Sequence, residues 1–536
     1  MAEQRTSPAT DLPAGQAWWL PRLRIEHLWL AVPIFLVVGF GFLLKLRLVD
    51  FWWHLKIGEI IVNTRAIPRT DLFSFTAAGQ PFILQNWLVE VLYYLTYRAG
   101  GLPLLVTLNA ALLVAALLPV YSLCRRSTNR LRLGVVVAIL PAVSLIYFGS
   151  VRSQVFSFAL LSAFYWILHH YHRRQRDLLW ALPVLMALWV NLHGAFVIGL
   201  ALIGLFLCCE AASRLFYGAQ SNTLTTGELS KLGLILMLTA LATLVNPETY
   251  RVYGYILAVA TNPASQALVV EWQPPRVDEL ESLLLFYGPF FISLLVLLYA
   301  RRRPLLIELA LFLAFAIFGL KALRNGVWFT LIAAPILARH LPTIRVWDFI
   351  QPLRRFRLVD SFILWVARRK DAVVPIRYRL NRQIALVMLT ILVLVSPWIY
   401  PHLGNKLFGS TLWEPSTPVG AMDYIQQQRL QGNIFHPQIY GDYLIWRLWP
   451  QQRSFIDGRV HLFDNSVIRD YRLAFNDPHW DERLARYDIR YLLLSKVEEE
   501  NHLMADTART SNNWQVLYED EQSILFEKID HKLPAS

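Results

Sequence analysis

Apolar runs of membrane length recur along this chain to about residue 402 and then stop. A bilayer core takes ~20 apolar residues per helix. By that measure spans are predicted near 27–48, 102–123, 133–149, 154–171, 178–192, 195–213, 232–246, 282–300, 305–322, 327–343 and 383–402. Eleven is an odd number, so the termini are expected on opposite sides. Loop charges set the direction, because basic residues collect on the cytoplasmic side. Arg125, Arg126, Arg130 and Arg132 follow the second span, Arg173, Arg174 and Arg176 the fourth, and Arg301, Arg302 and Arg303 the eighth. Segment 345–382 carries ten basic residues against three acidic ones. All four are even-numbered exits and therefore cytoplasmic. Loop 49–101 is neutral and falls outside, together with everything after 402.

Two stretches break the membrane pattern. In the first external loop, Phe51, Leu55, Gly58 and Val62 repeat at helical spacing, and a second helix is predicted over 83–98 after a turn with Pro68, Asp71, Gly79 and Pro81. Beyond about 416 the pattern shifts to short strands (432–435, 454–457, 491–494, 514–517, 523–526) alternating with helices (417–430, 439–448, 465–475, 479–487). The predicted fold class is an α-helical polytopic membrane protein with a small C-terminal extracytoplasmic α/β domain. Its expected parts are a cytoplasmic tail 1–26, a transmembrane domain 27–402 and an external domain 403–536. Within 345–382, Phe356, Phe362 and Trp365 interleave with arginines and predict an interfacial helix on anionic lipid.

Composition agrees with the pattern: 55% of residues are hydrophobic, 17% are charged, and mean hydropathy is +0.39. The net charge of +13 does not imply nucleic acid, because it is unevenly placed. Residues 403–536 carry a net −5, which leaves +18 on the membrane part, mostly in short loops. Three cysteines, Cys124, Cys208 and Cys209, form neither a disulfide framework nor a CxxC metal motif. No dinucleotide fingerprint or P-loop occurs.

The candidate chemistry begins at Asp50-Phe51-Trp52-Trp53-His54, where an acid and a histidine flank two tryptophans at the outer edge of the first span. Ionisable groups at membrane depth are costly and mark function. The loop continues with Gly58-Glu59, with 66–76 (Ala-Ile-Pro-Arg-Thr-Asp-Leu-Phe-Ser-Phe-Thr) and with Gly79-Gln80-Pro81. This run resembles the first external loop of GT-C-type membrane glycosyltransferases, the oligosaccharyltransferase catalytic subunit above all. Arg152-x-Gln154-x-Phe156-Ser157, Asn191-Leu192-His193-Gly194, Asn246-Pro247, Glu271-Trp272 and Arg324-Asn325 are similar to bacterial glycosyltransferase-like membrane proteins. The resemblance spans most of the chain. Gly441-Asp442-Tyr443 and 455–459 resemble, more weakly, the oligosaccharyltransferase external domain.

The resemblance implies a sugar carried on a polyprenyl phosphate or diphosphate and transferred outside the membrane, with Asp50 as the first-loop acid. The chain departs from the oligosaccharyltransferase in its second external loop, where 149–154 holds Arg152 and no acid. A divalent metal is therefore compatible with the pattern but not required by it. Glycosyl transfer from a lipid phosphate needs a base for the acceptor and cations for the departing phosphate. Asp50, Glu90 and Asp71 are the candidate catalytic acids, and His54, Arg152, His193 and Arg324 the candidate phosphate ligands. Plainer readings exist for each: Asp71 as a turn cap, His54 as an interfacial histidine, and each arginine as a snorkelling one. Expected partners are a polyprenyl-linked sugar donor and membrane lipids, with localisation in the inner or plasma membrane. The alternative is a non-catalytic scaffold of the same fold whose external domain binds a partner. A transporter is weaker, since no inverted repeat is visible and acids within spans, such as Glu210 and Glu308, are few.

Overall fold

The structure is a computed structural model that describes residues 23–128, 130–218, 223–262, 270–344, 378–404, 409–477 and 479–529. The interfacial helix expected within 345–382 falls, through residue 377, outside the described residues, and so does the tail before residue 23. The chain divides into two units. In one, Met1–Val32 with Arg345–Ile391, Asn381 Nδ2 donates to the Leu23 carbonyl at 2.9 Å. The other, Pro33–Ile344 with Leu392–Ser536, holds every candidate site residue.

A helix lies at each expected span. They are α1 (Ile25–Leu43), α3 (Trp87–Ser127), α4 (Leu131–Phe148), α5 (Gln154–His172), α6 (Ala181–Trp189), α7 (Phe196–Tyr217), α8 (Thr226–Ala242), α10 (Leu280–Tyr299), α11 (Leu306–Lys321), α12 (Gly326–His340) and α13 (Tyr378–Leu394). Five of them, α1, α3, α4, α7 and α10, are long and apolar enough to cross a membrane. Outside this set are α2 (Phe51–Thr64) in the first loop and α9 (Arg251–Ala260). Two buried acids inside helices, Glu308 and Glu210, are paired, as burial demands. Glu308 accepts from Arg339 and lies 3.0 Å from His340 Nε2, while Glu210 sits 3.0 Å from His172 Nδ1.

The loop helix expected over 83–98 begins at Trp87 and is continuous with the second span across a corner at Gly100 and Gly101. Gly101 has φ +65, a backbone conformation that side-chain-bearing residues rarely adopt. Gly58 brings α2 against α3: a Cβ there would lie 2.1 Å from the Glu90 carbonyl oxygen.

The C-terminal region packs α14 (Val419–Gln427), α15 (Gln438–Leu448), α16 (Asn465–Ala474), α17 (Trp480–Leu484) and α18 (His502–Thr510) with a sheet of order β1-β2-β4-β3. Its strands are β1 (Asn433–Phe435), β2 (Ile489–Ser495), β3 (Trp514–Glu519) and β4 (Ser523–Lys528). β1 runs parallel to β2, and the other pairs are antiparallel. The core between sheet and helices gathers Phe435, Phe455, Leu492, Leu494, Phe526, Trp480 and Met504. Helix α18 was not anticipated, and the strand expected at 454–457 does not form. There Ser454 exchanges backbone hydrogen bonds with Phe73 and Phe75 of the first loop, and the Asp457 carboxylate turns the chain by accepting from the Arg459 N–H at 2.9 Å. Its backbone partners lie in that loop rather than in the sheet.

That contact is fixed by an ionic triad. Arg459 donates from Nε and Nη2 to Asp457 at 2.9 and 2.6 Å and from Nη1 to Asp71 at 2.6 Å. All three side chains are buried. Removing one partner of a buried ion pair strands the others without water, which costs several kcal/mol. Arg459→Leu leaves two sealed carboxylates and is expected to cost about 3–5 kcal/mol, read as a fall in the unfolding midpoint of the detergent-solubilised protein.

Candidate functional site

The sequence puts Asp50 immediately before α2, and there its backbone has φ +73, uncommon for a residue with a side chain. Two groups hold it. Its N–H donates to Asp442 Oδ2 on α15, whose other oxygen accepts the Gly458 N–H at 2.8 Å. Gly458 lets these carboxylates approach, since a Cβ would meet Asp442 Oδ2 at 2.8 Å and Asp50 Oδ1 at 2.9 Å and one of them would have to shift. The Asp50 side chain faces Arg152, with Nε 3.2 Å from Oδ2. Burial raises the Asp50 pKa above the usual carboxylate range, and Arg152 opposes the rise. Asp442 is pushed up further by burial, by Asp457 and by Asp50.

Arg152 comes from the turn before α5 and also donates Nη1 to Glu271 Oε2 at 2.8 Å. Arg47, from the segment before α2, donates to the other Glu271 oxygen. Burial alone would raise the Glu271 pKa, but Arg152 and Arg47 together hold it below normal. The next residue, Trp272, lays its ring against the guanidinium of Arg324 with 3.7 Å to the ring centre. Arg324 sits in the turn before α12, and burial brings its pKa down to about 10, which still leaves it a cation at neutral pH. Among the described residues it has no hydrogen bond and no ion pair.

His193, between α6 and α7, feels both Arg324 and His54. Burial, with those two groups adding to it, takes its pKa to about 3, so the ring is neutral. Its Nδ1 accepts the Ala195 N–H at 3.3 Å and lies 2.9 Å from Ser157 Oγ, itself an acceptor for Trp189 Nε1. With Nδ1 acting as an acceptor, the ring proton is assigned to Nε2. His193 therefore offers a neutral donor rather than a charge. His54 on α2 presents Nδ1 to Glu90 Oε1 on α3 at 3.0 Å, with its ring 3.8 Å from that of Trp53. Glu90 is fully buried, and its second oxygen has no hydrogen-bond partner among the described residues.

The seven candidate residues thus fall into two groups and two single residues. Asp50, Arg152 and Arg324 share one electrostatic cluster, with Glu271 among them. His54 and Glu90 form a buried pair, and His193 stands within electrostatic reach of both groups. Asp71 belongs to neither: besides Arg459, its oxygens accept from the Phe73 and Ser74 N–H groups and from Ser74 Oγ. Sequence reading missed Arg47 altogether. Its signal was sidedness, because a basic residue on the external flank of a span goes against the prevailing charge pattern. Among the described residues no group of three or more His, Cys, Asp or Glu side chains could hold a metal ion, and Asp50 faces a guanidinium instead.

With this geometry in hand, the chain can be set beside solved structures. It matches the archaeal oligosaccharyltransferase AglB from Archaeoglobus fulgidus, in complex with an inhibitory peptide and a dolichol-phosphate. The TM-score is 0.56 and the identity 13%, over 97% of this chain and 75% of that one. Arabinofuranosyltransferase AftD from mycobacteria matches with a TM-score of 0.51 at 12% identity, over 95% of this chain and 42% of that one. ArnT from Cupriavidus metallidurans bound to undecaprenyl phosphate gives 0.50 at 14% identity, over 94% of this chain and 98% of that one. The fold is that of the GT-C glycosyltransferases. No protein-family model and no curated protein sequence matches. A multi-pass membrane protein with the GT-C fold accounts for the apolar helices.

Within this GT-C frame, Asp442 is what keeps Asp50 in its left-handed conformation. Asp442→Ala removes the acceptor of two backbone N–H groups and is expected to cost about 1–3 kcal/mol for each one left unsatisfied. Asp442→Asn, which keeps one acceptor oxygen, should fall between that variant and the native protein in chemical denaturation.

Proposed function

We propose that the protein is a glycosyltransferase that moves a sugar from a polyprenyl-phosphate-type lipid donor to an acceptor at the extracytoplasmic face. The observation that carries the reading is Asp50, a carboxylate whose pKa is raised, beside Arg152 and the unpaired Arg324, each from a different turn. Two proteins of the same fold, ArnT and AglB, have been solved with undecaprenyl phosphate and dolichol-phosphate. The proposed topology has eleven spans, with the tail 1–26 cytoplasmic, domain 27–402 in the inner or plasma membrane and domain 403–536 outside.

The chemistry balances on the chain's own residues. An acceptor hydroxyl attacks the sugar's anomeric carbon while Asp50 takes its proton. The bond from that carbon to the phosphate oxygen breaks, and its electron pair stays on the phosphate. A phosphodiester of charge −1 becomes a phosphate monoester of −2, and Asp50 becomes neutral. Arg152 and Arg324 meet the charge that develops on the leaving oxygen, where fixed donors in a partly buried setting act most strongly. His193 adds a neutral donor. Glu90 orients His54 through Nδ1, and Asp71 acts by holding the loop against the C-terminal domain. Because a metal-binding acid set is missing among the described residues, no step runs through a metal.

Asp50→Asn keeps the shape and removes the base, so transfer from a radiolabelled polyprenyl-phosphate sugar should fall by about 10²–10⁴-fold. Full biological function in that variant would instead select the scaffold reading. The pH profile gives a second check. Asp50 must be ionised to act, so kcat/KM should rise with pH through its pKa. Arg152 holds that pKa down, so Arg152→Gln should shift the acidic limb to higher pH as well as lowering the plateau.

A further inference from the structure

Glu271 has no part in the chemistry just described, yet it sits among its cations. One oxygen accepts from Arg47 and the other from Arg152 Nη1 at 2.8 Å, so a single carboxylate spans two guanidinium groups from different segments. It belongs to a short 3-10 turn, Val270–Trp272, whose last residue stacks on Arg324. A ring face stabilises a guanidinium but accepts none of its N–H groups in plane. Arg324 therefore keeps open donors while its neighbour Arg152 is bridged to both Glu271 and Asp50. Together Arg47, Arg152 and Arg324 carry three positive charges against two on Asp50 and Glu271. Asp442, which also acts on Arg152, is a third acid beside them.

A carboxylate and a phosphodiester offer arginine the same feature, a pair of oxygens that takes a guanidinium fork. We propose that Glu271 competes with the donor's phosphodiester for Arg152 and so sets donor affinity. On binding, a phosphate oxygen replaces Glu271 Oε2 on Arg152 Nη1, and the second anionic oxygen turns to Arg324. Glu271 keeps Arg47 and swings toward water, which is feasible because its side chain is 24% exposed. After transfer, its return to Arg152 opposes retention of the phosphate product. The inference rests on the lipid-phosphate reading above and goes beyond it by assigning Glu271 an antagonistic role. A catalytic acid or a purely structural bridge at this position would behave differently when neutralised.

The test measures binding of undecaprenyl monophosphate to the full chain in nanodiscs, beside inorganic phosphate and phosphatidylglycerol as probes. Glu271→Gln should bind the polyprenyl phosphate about tenfold tighter, equivalent to about 1.4 kcal/mol, and Glu271→Ala should move in the same direction. Misfolding cannot produce a gain of that kind. In the Arg152→Gln background the gain should vanish, since the contested group is gone. Unchanged or weaker binding by both Glu271 variants overturns the proposal, as does a gain that survives in the Arg152→Gln background. Failure of the donor reading has its own signature: Arg152→Gln and Arg324→Gln would then bind undecaprenyl monophosphate as well as the native chain does.

Discussion

The buried guanidinium of Arg459 is the contact on which the rest of this architecture turns. A charge sealed from water is tolerable only when its donors are engaged, and here Asp457 takes a forked pair while Asp71 takes a third bond. The two carboxylates come from parts of the chain nearly four hundred residues apart, so the triad fastens the first external loop to the C-terminal domain. Trp53, Ile57, Phe73, Phe82 and Ile445 pack beside it as one apolar cluster. Because α2 is fixed by that cluster, the residue ahead of it, Asp50, is fixed too. No side chain caps the start of α2. The C-terminal region supplies the missing order, through Asp442.

Asp50 consequently depends on both halves of the chain. Its carboxylate is set by Arg152 of the turn before α5 and its backbone by Asp442 of the C-terminal region. A carboxylate on a flexible loop would sample many positions, and a proton transfer of the kind proposed for Asp50 tolerates few of them. Forcing φ to +73 at a residue with a side chain has a conformational cost, and such costs persist where the surroundings over-determine them. Here the surroundings are Gly458 and Asp442, packed so closely that a Cβ at 458 would crowd both carboxylates.

How far the sequence could be read follows from what kind of signal each feature leaves. Long apolar runs announce helices, and a helix occurs at each expected position, five of them long and apolar enough to cross a membrane. The α/β pattern of the C-terminal region was legible because its helices and strands differ in period. Segment 454–457 misled because Ser-Phe-Ile-Asp has strand composition, while its backbone partners belong to a loop remote in sequence. Asp50 and Arg152 were legible as ionisable residues on the outer side, but sidedness carries no distance. It could not separate Asp71, saturated by Arg459 and by its own turn, from Asp50. Nor could it reveal that burial would leave His193 uncharged. Arg47 was missed because a single arginine flanking a span is ordinarily a lipid-headgroup anchor.

Arg459 and Arg324 show that saturation, rather than charge or burial, separates a structural arginine from one available for chemistry. Both lie against aromatic rings: Arg459 is 5.0–5.7 Å from the ring centres of Phe73, Phe82 and Trp53, and Arg324 is 3.7 Å from that of Trp272. The nitrogens of Arg459 that point away from those rings all end on carboxylates, so a ligand oxygen reaching it would have to break a buried ion pair first. Arg324 offers the reverse arrangement. The Trp272 ring fixes its plane without using its donors, which keeps the fork oriented and its hydrogen-bonding capacity unspent. An oxygen anion arriving there gains charge-assisted hydrogen bonds and displaces no protein partner. Arg152 lies between these limits, with one nitrogen on Glu271 and another turned to Asp50, and it can accept a new anion only by releasing an old one. The order of these three arginines, from saturated to shared to open, runs from the part of the molecule that must not move to the part where charge has to change hands.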